Sequence, residues 1–547
     1  MVFRHYSGVF SNSRSSYPMR ILPKIQIATF ISKTKSNNKS FISKSRSKNS
    51  SSTNPDSFPP YKFGSYSPLN LPDSKSREGI AKLVDKITDF KELKIYPEIR
   101  DVLFNEIKAH TVLRSQNYMS TSKKIKSENE LNGLIIRPTP IQIAAIKIIN
   151  DKRDKSDFFK VFTLAAETGS GKTWAYLAPL LQQLLEGHKL EQSQNLSNKE
   201  LEINNEGLVT ESNDSPYIKH RSGIKSVILV PTHELVDQVY STIEYASKQL
   251  NLNILKWDTD SNFKVFIENF KNGIDIMVTT PGKLNSLSKY HSIHNPKMIF
   301  GSISFCVADE ADTLMDPSFI EETNGILKHM TNLSTLIFTS ATVPSRFNKT
   351  ISHLYPDVTN VSTPSLHKLP KSIEFRMINA SVPPYKGSKM KALAQALYAI
   401  HCDGTEQGYE KRVIVFVNKK EDCEKIAIKL SESYGHDVTY ITSEDSTDDR
   451  KKKVSTFVEP AKKLDNLNIP ILKVLVCTDL LSRGLNFQGI RNVILLDVPK
   501  TSSDLVHRAG RTGRMNQSGR VFMIIDDSDK GHVKGLPKVL RNNRRLG

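Results

Sequence analysis

Short apolar runs recur along the chain, each closing on a polar cluster rich in Gly, Thr, Ser or Asp: Val161 to Ala165, Val227 to Val230, Ile274 to Val278, Ile303 to Ala308 and Leu336 to Thr339. Runs of this length without alternation are the signature of strands buried on both faces of a parallel sheet. A second series follows with Val413 to Val417, Val438 to Ile441, Val474 to Cys477, Val493 to Leu496 and Val521 to Ile525. Two such series predict two α/β domains, each a parallel sheet flanked by helices. Functional loops should lie outside the carboxyl ends of the strands, facing a cleft between the domains. Two prolines and a loss of periodicity between Ser362 and Lys371 mark the boundary, giving domains at 57–366 and 367–529. Residues 115–130 and 187–223 are polar throughout and read as inserted surface loops.

Charge changes the picture at the ends. Of the formal net charge of +20, ten Lys/Arg and no acidic residue fall in residues 1–55 and six more fall in 530–547, leaving about +4 for everything between. The folded part is therefore near neutral. The first 56 residues, rich in Ser, Lys, Arg and Asn and free of long apolar runs, predict an organellar transit segment and no membrane insertion. The carboxyl-terminal stretch 530–547 reads from its charge as a basic tail, solvated or in contact with phosphate. Cys306, Cys402, Cys423 and Cys477 lack metal-ligand spacing and read as reduced core residues.

Chemistry concentrates after three of the runs. Ala166-Glu167-Thr168-Gly169-Ser170-Gly171-Lys172-Thr173 follows the first strand and fits a phosphate-cradling loop, whose glycines let backbone N–H groups approach an anion. Lys172 is placed to reach the β/γ-phosphates and Thr173 to ligate Mg²⁺. Asp309-Glu310-Ala311-Asp312 closes another strand, with Asp309 suited to the same ion through its water shell and Glu310 to orienting and deprotonating a water. His507-Arg508-Ala509-Gly510-Arg511-Thr512-Gly513-Arg514 masses guanidinium groups on the second domain. Arg511 and Arg514 are the candidates for offsetting transition-state charge across the cleft. Together these elements predict ATP hydrolysis that requires domain closure.

With Pro138-Thr139-Pro140-Ile141-Gln142, Pro231-Thr232-His233-Glu234-Leu235, Thr280-Pro281-Gly282-Lys283, Ser340-Ala341-Thr342 and Thr478-Asp479-Leu480-Leu481-Ser482-Arg483-Gly484 in order, the chain resembles the DEAD-box RNA helicases from about Phe90 to Ile525. In detail it is most similar to fungal mitochondrial members linked to assembly of the mitochondrial large ribosomal subunit. The resemblance implies two RecA-like domains, ATP and Mg²⁺ as cofactors, and an ATP-dependent RNA helicase acting as a monomer in the mitochondrial matrix. Its partners would be mitochondrial ribosomal RNA and large-subunit precursor particles. An ATP-gated RNA clamp with little strand separation is the alternative.

Gln142 would pair with adenine N6 and N7, and Phe90 would stack or pack beside the base. By resemblance Thr232, Thr280, Gly282, Lys283, Arg450 and Thr478 grip RNA through phosphates and 2′-hydroxyls, while Asp312, Ser340, Thr342 and His507 couple nucleotide state to domain contact. Departures from the family pattern gather on the RNA side. His233 and Lys283 stand where Arg is usual, the glycine doublet before Phe263 is absent, and Thr447 replaces Gln. Asn486 replaces an Asp expected near the ribose. Hydrolysis is expected intact and the RNA grip softened.

Overall fold

In the computed structural model of the chain, the residues described are 74–119, 136–151, 159–205, 223–288, 299–363, 366–406, 408–442, 444–459, 461–464, 471–479, 487, 490–513, 518–543 and 546. Residues 1–56, expected to be a transit segment, lie outside them. The first lobe is built on seven parallel strands: β1 (Lys160–Ala165), β2 (Ile224–Leu229), β3 (Ile254–Trp257), β4 (Ile274–Thr279), β5 (Phe305–Asp309), β6 (Thr335–Ser340) and β7 (Thr359–Ser362). They are ordered β3-β4-β2-β5-β6-β1-β7. The second lobe has β8 (Ile373–Asn379), β9 (Lys411–Phe416), β10 (Asp437–Tyr440), β11 (Leu472–Cys477), β12 (Asn492–Leu495) and β13 (Gly519–Ile525), ordered β10-β11-β9-β12-β13-β8. Both lobes belong to one compact unit, Phe58–Gly547.

The apolar runs become the central strands because each sheet is covered on both faces. Along β1, Phe162 and Leu164 enter the core on one side and Val161 and Ala165 the core on the other. The strands that the apolar pattern did not reveal are β3, β7 and β8. All three lie at sheet edges, where one side has no neighbouring strand and polar residues such as Thr359 and Asn360 are tolerated. Register then sets up the chemistry, since Ala165 pairs with Ser340 and Asp309 with Thr339. The three chemistry-bearing loops of the first lobe thus leave adjacent strands at the same edge of the sheet.

Three expectations change. The stretch 530–547 is not a solvated tail: helices Lys530–Val533 and Leu536–Arg541 carry Val533, Leu536 and Val539 into the second-lobe core, together with Leu546. Charge had hidden an apolar face. Much of the insertion 187–223 is helical, because the helix that starts at Lys172 runs on to Asn205; the helix Pro97–Met119 likewise extends into 115–130. Residues 120–130 and 206–222 lie outside the described residues. Cys306, Cys423 and Cys477 are buried, but Cys402 is exposed, and all four are free thiols. Among the described residues no helix is long and apolar enough to cross a membrane.

A polar network is buried at the amino-terminal ends of the second-lobe strands. Lys411 Nζ donates to Ile400 O at 2.7 Å and to Asp403 Oδ1 at 2.8 Å, and Arg520 Nε donates to Asn492 Oδ1 at 2.7 Å. Burial pushes the Glu406 carboxyl in this network up to about 7, against the pull of Arg491, Arg520 and Lys411. The fold therefore prefers the neutral acid. The cost of the charged form is absent below pH 4.5, grows as pH rises toward about 7, and stays constant above that. Glu406→Gln is expected to stabilise the protein by roughly 1–3 kcal/mol at alkaline pH and to have little effect near pH 4.5; thermal melts at the two pH values measure the difference.

Candidate active site

The phosphate loop runs from the end of β1 into the helix Lys172–Asn205. Ala166 N–H donates to Ser340 O at 3.2 Å, which ties the loop to the end of β6, and Thr363 Oγ1 donates to Glu167 Oε2 at 2.7 Å. Gly171 has a φ of +86°, which strains any residue with a Cβ, and a Cβ there would also displace the Gln142 amide, 2.5 Å away at Nε2. Lys172 Nζ lies over the loop, donating to Ala166 O at 2.8 Å and Glu167 O at 3.1 Å. Burial lowers its pKa, opposed by the carboxylates of Glu310, Asp309, Glu167 and Asp312.

Gln142 is buried rather than on a helix surface. Its Oε1 accepts from Thr139 N–H at 2.9 Å, closing a capping box on the helix Pro140–Ile149, while its Nε2 donates to Gly171 O at 3.3 Å. Phe90 is a core residue, 2% exposed, edge-on to Phe104 at 5.7 Å.

At the end of β5, Asp309 Oδ2 accepts from the Tyr176 hydroxyl at 3.0 Å and Oδ1 accepts from Glu310 N–H at 2.9 Å. Burial, reinforced by the neighbouring Glu310 carboxylate, pushes Asp309 up to about 6; Lys172 acts against the rise. Glu310 has a φ of +51°, a left-handed conformation uncommon for a residue with a Cβ, and it turns the chain into the short helix Ala311–Leu314. Its Oε2 is buried without a hydrogen-bond partner among the described residues. An orphaned carboxylate oxygen next to a phosphate loop is the arrangement a water- or cation-binding group requires.

The lobes meet at Asp312. Its Oδ2 accepts from Thr342 Oγ1 of the first lobe and is contacted from the second lobe by Ser503 Oγ at 3.5 Å and His507 Nε2 at 3.2 Å. Thr342 N–H in turn donates to Ser340 Oγ at 3.1 Å. Gly510 is pressed against the phosphate loop so closely that a Cβ would collide with Thr168 Oγ1. Arg511, 5% exposed, follows directly and donates from Nε to His507 O at 3.3 Å; Arg514 lies outside the described residues. Arg508 is another matter. It is 1% exposed, its Nε and Nη2 make bonds of 2.6 Å to the two oxygens of Asp479, and Nη2 also donates to Asn418 Oδ1 at 2.6 Å. One arginine of the cluster therefore has its anion inside the chain, at Asp479.

Of the residues expected to grip RNA, Thr232 and Thr280 cap the helices His233–Leu250 and Pro281–Leu287. Gly282 faces the Glu322 carboxylate, and Lys283 Nζ lies 5.0 Å above the Trp257 ring. Arg450 reaches across the lobes to pair with Glu234 Oε1 at 2.5 Å, and Lys451 pairs with Asp237 at 3.4 Å. Thr478 is partly exposed just beyond β11. The motif reading missed Tyr176, Ser503, Asn418 and Glu234 as partners. Glu234 stands within the motif Pro231 to Leu235 and Tyr176 one helical turn after Lys172, whereas Ser503 and Asn418 left no trace in the sequence.

A phosphate loop, a carboxylate pair and an arginine turn shared between two parallel-sheet lobes define an ATP-driven motor of the two-lobed α/β class. The DEAD/DEAH box helicase family matches residues 139–351, and the helicase conserved C-terminal domain matches 388–516. The chain is 42% identical over 554 residues to the mitochondrial ATP-dependent RNA helicase MRH4 of Debaryomyces hansenii, covering 89% of each chain. It is also 42% identical to MRH4 of Saccharomyces cerevisiae, covering 89% of this chain and 87% of the relative. Among solved structures, Mss116p bound to single-stranded RNA and AMP-PNP superposes with a TM-score of 0.58 at 19% identity, over 83% of this chain and 78% of that one. Saccharomyces cerevisiae Dbp5 bound to RNA and ADP BeF3 gives 0.57 at 18% identity, over 84% and 94%. The chain belongs to the DEAD/DEAH-box family of ATP-dependent RNA helicases, and to its mitochondrial members. As an ATP-dependent RNA helicase it acts on ATP and RNA.

Proposed function

We propose that this helicase remodels ribosomal RNA during assembly of the mitochondrial large ribosomal subunit, closing on RNA with ATP and releasing it on hydrolysis. The observation that carries the ATP-gated part is the four-residue junction of Asp312, Thr342, Ser503 and His507, which joins the lobes directly beside Glu310. In this reading Lys172 binds the β/γ-phosphates, Glu310 orients and deprotonates the attacking water, and Arg511 with Arg514 offsets charge from the second lobe. Thr173 and Asp309 hold Mg²⁺, which when bound neutralises phosphate charge. The donor set fits such an ion: a hydroxyl and a carboxylate, with the orphaned Glu310 oxygen alongside. Residues 1–56 direct import.

The assembly role rests on similarity to mitochondrial relatives and on the softened RNA grip. A weak hold on naked RNA suits a protein that docks on RNA already organised by other proteins, where a second contact supplies affinity. Trapping the closed state with Glu310→Gln is expected to enrich the protein on particles sedimenting near the large subunit. Accumulation on messenger or free RNA, with ribosomal particles of normal composition, rejects the role.

The clamp alternative is favoured by one observation: Arg450, expected on RNA, is held by Glu234 across the lobes. A strand-displacement assay on a short duplex separates the two readings, since a clamp would hydrolyse ATP without releasing the strand.

Gln142 provides a test of the base site. Its two hydrogen bonds to adenine should favour ATP over GTP by about 10-fold or more, and Gln142→Ala should erase that preference. Competition binding of the two nucleotides reads the effect directly, and equal affinities in the unmodified protein would leave Gln142 as a capping residue only.

A further inference from the structure

Tyr176 lies on the helix Lys172–Asn205, three residues after Thr173 and four after Lys172, so its side chain shares a helix face with both. It is fully buried. A buried phenol needs a hydrogen-bond partner, and this one donates to Asp309 Oδ2 at 3.0 Å. Thr173 stands one turn earlier on the same helix face. One hydroxyl therefore bonds one of the groups assigned above to the cation and lies on the helix face that carries the other.

The geometry points to Tyr176 as the positioning residue of the magnesium site, fixing the Asp309 carboxylate beside the helix face that carries Thr173. The inference rests on the assignment of Mg²⁺ to those two residues. Asp309 is held from behind by two donors, Glu310 N–H on Oδ1 and Tyr176 on Oδ2, which fixes the plane of the carboxylate. Each oxygen keeps a lone pair directed away from its donor. Phenylalanine would fill nearly the same volume but leave Oδ2 without its donor, and the carboxylate could rotate. Groups that orient a metal ligand typically account for about 10–100-fold in metal affinity. Packing alone does not explain the hydroxyl, because phenylalanine would serve the apolar core that Tyr176 joins equally well.

The test uses the full chain and Tyr176→Phe. Affinity for a fluorescent ATP analogue is measured in EDTA and across a titration of Mg²⁺. The expected result is unchanged affinity in EDTA and a half-saturating Mg²⁺ concentration raised about 10–100-fold, with RNA-stimulated hydrolysis recovering at high Mg²⁺. Combining Tyr176→Phe with Asp309→Asn should then require no more Mg²⁺ than Asp309→Asn alone, because the phenol acts through that carboxylate. A wild-type Mg²⁺ dependence in Tyr176→Phe, alongside a shifted one in Asp309→Asn, overturns the inference and leaves the cation assignment standing. So does an equal loss of affinity in EDTA, which would mark a general packing defect. If Asp309→Asn also binds Mg²⁺-nucleotide like the unmodified protein, the cation assignment itself fails, and the inference with it.

Discussion

Arg511→Ala is expected to lower RNA-stimulated ATP hydrolysis by about 10³-fold or more, with little change in thermal stability or in ATP affinity. Phosphoryl transfer needs charge compensation at the transition state more than covalent help, and an arginine supplied to it is worth about 10³–10⁵ in rate. Arg511 comes from the second lobe, one residue beyond a glycine pressed against Thr168 of the phosphate loop. The neighbouring Arg508 is the control. Its guanidinium is buried against Asp479 and Asn418, so Arg508→Ala should destabilise the second lobe by about 3–5 kcal/mol through the unpaired groups it leaves. Single-turnover hydrolysis and thermal melts on both variants distinguish a rate defect from a folding defect. Similar melting losses for the two would remove Arg511 from the transition state.

Glu310→Gln is expected to reduce hydrolysis by about 10²–10⁴-fold, the range for loss of a positioned general base, while ATP and RNA remain bound. Glutamine keeps the size of the side chain and can still reach a water, but it cannot take a proton at neutral pH. The backbone turn at Glu310, with φ at +51°, and its N–H bond to Asp309 Oδ1 do not depend on the side chain, so the site should keep its shape. Lys172→Ala differs in kind: its ammonium is the cation nearest the loop carbonyls, and its loss should weaken nucleotide binding before it slows chemistry. Comparing nucleotide affinity with single-turnover rate tells the two defects apart. Near-normal hydrolysis by Glu310→Gln would assign the base elsewhere.

The central strands were legible because their apolar runs reflect burial on both faces, a local property. The edge strands β3, β7 and β8 were not, since an edge position relaxes that requirement. Motif chemistry was legible where function depends on residue type at fixed local spacing, as in Gly169 to Thr173 and Asp309 to Asp312. Partner choice was not. Nothing local in the run His507 to Arg514 shows that the anion of Arg508 is Asp479, 29 residues away in sequence. The basic stretch 530–547 read as solvated or in contact with phosphate because charge counts do not show which face of a short helix is apolar.

From the sequence alone came two parallel α/β domains, a phosphate loop, a carboxylate pair and an arginine turn, because each is written in periodicity or in residues a few positions apart. Tertiary structure decided which groups meet: His507 and Asp312 across 195 residues, Arg450 and Glu234 across 216, and Tyr176 and Asp309 across 133. Those pairings depend on strand order, register and the approach of one lobe to the other. No local pattern encodes them, since side chains so distant in sequence become neighbours only after both sheets have formed and packed.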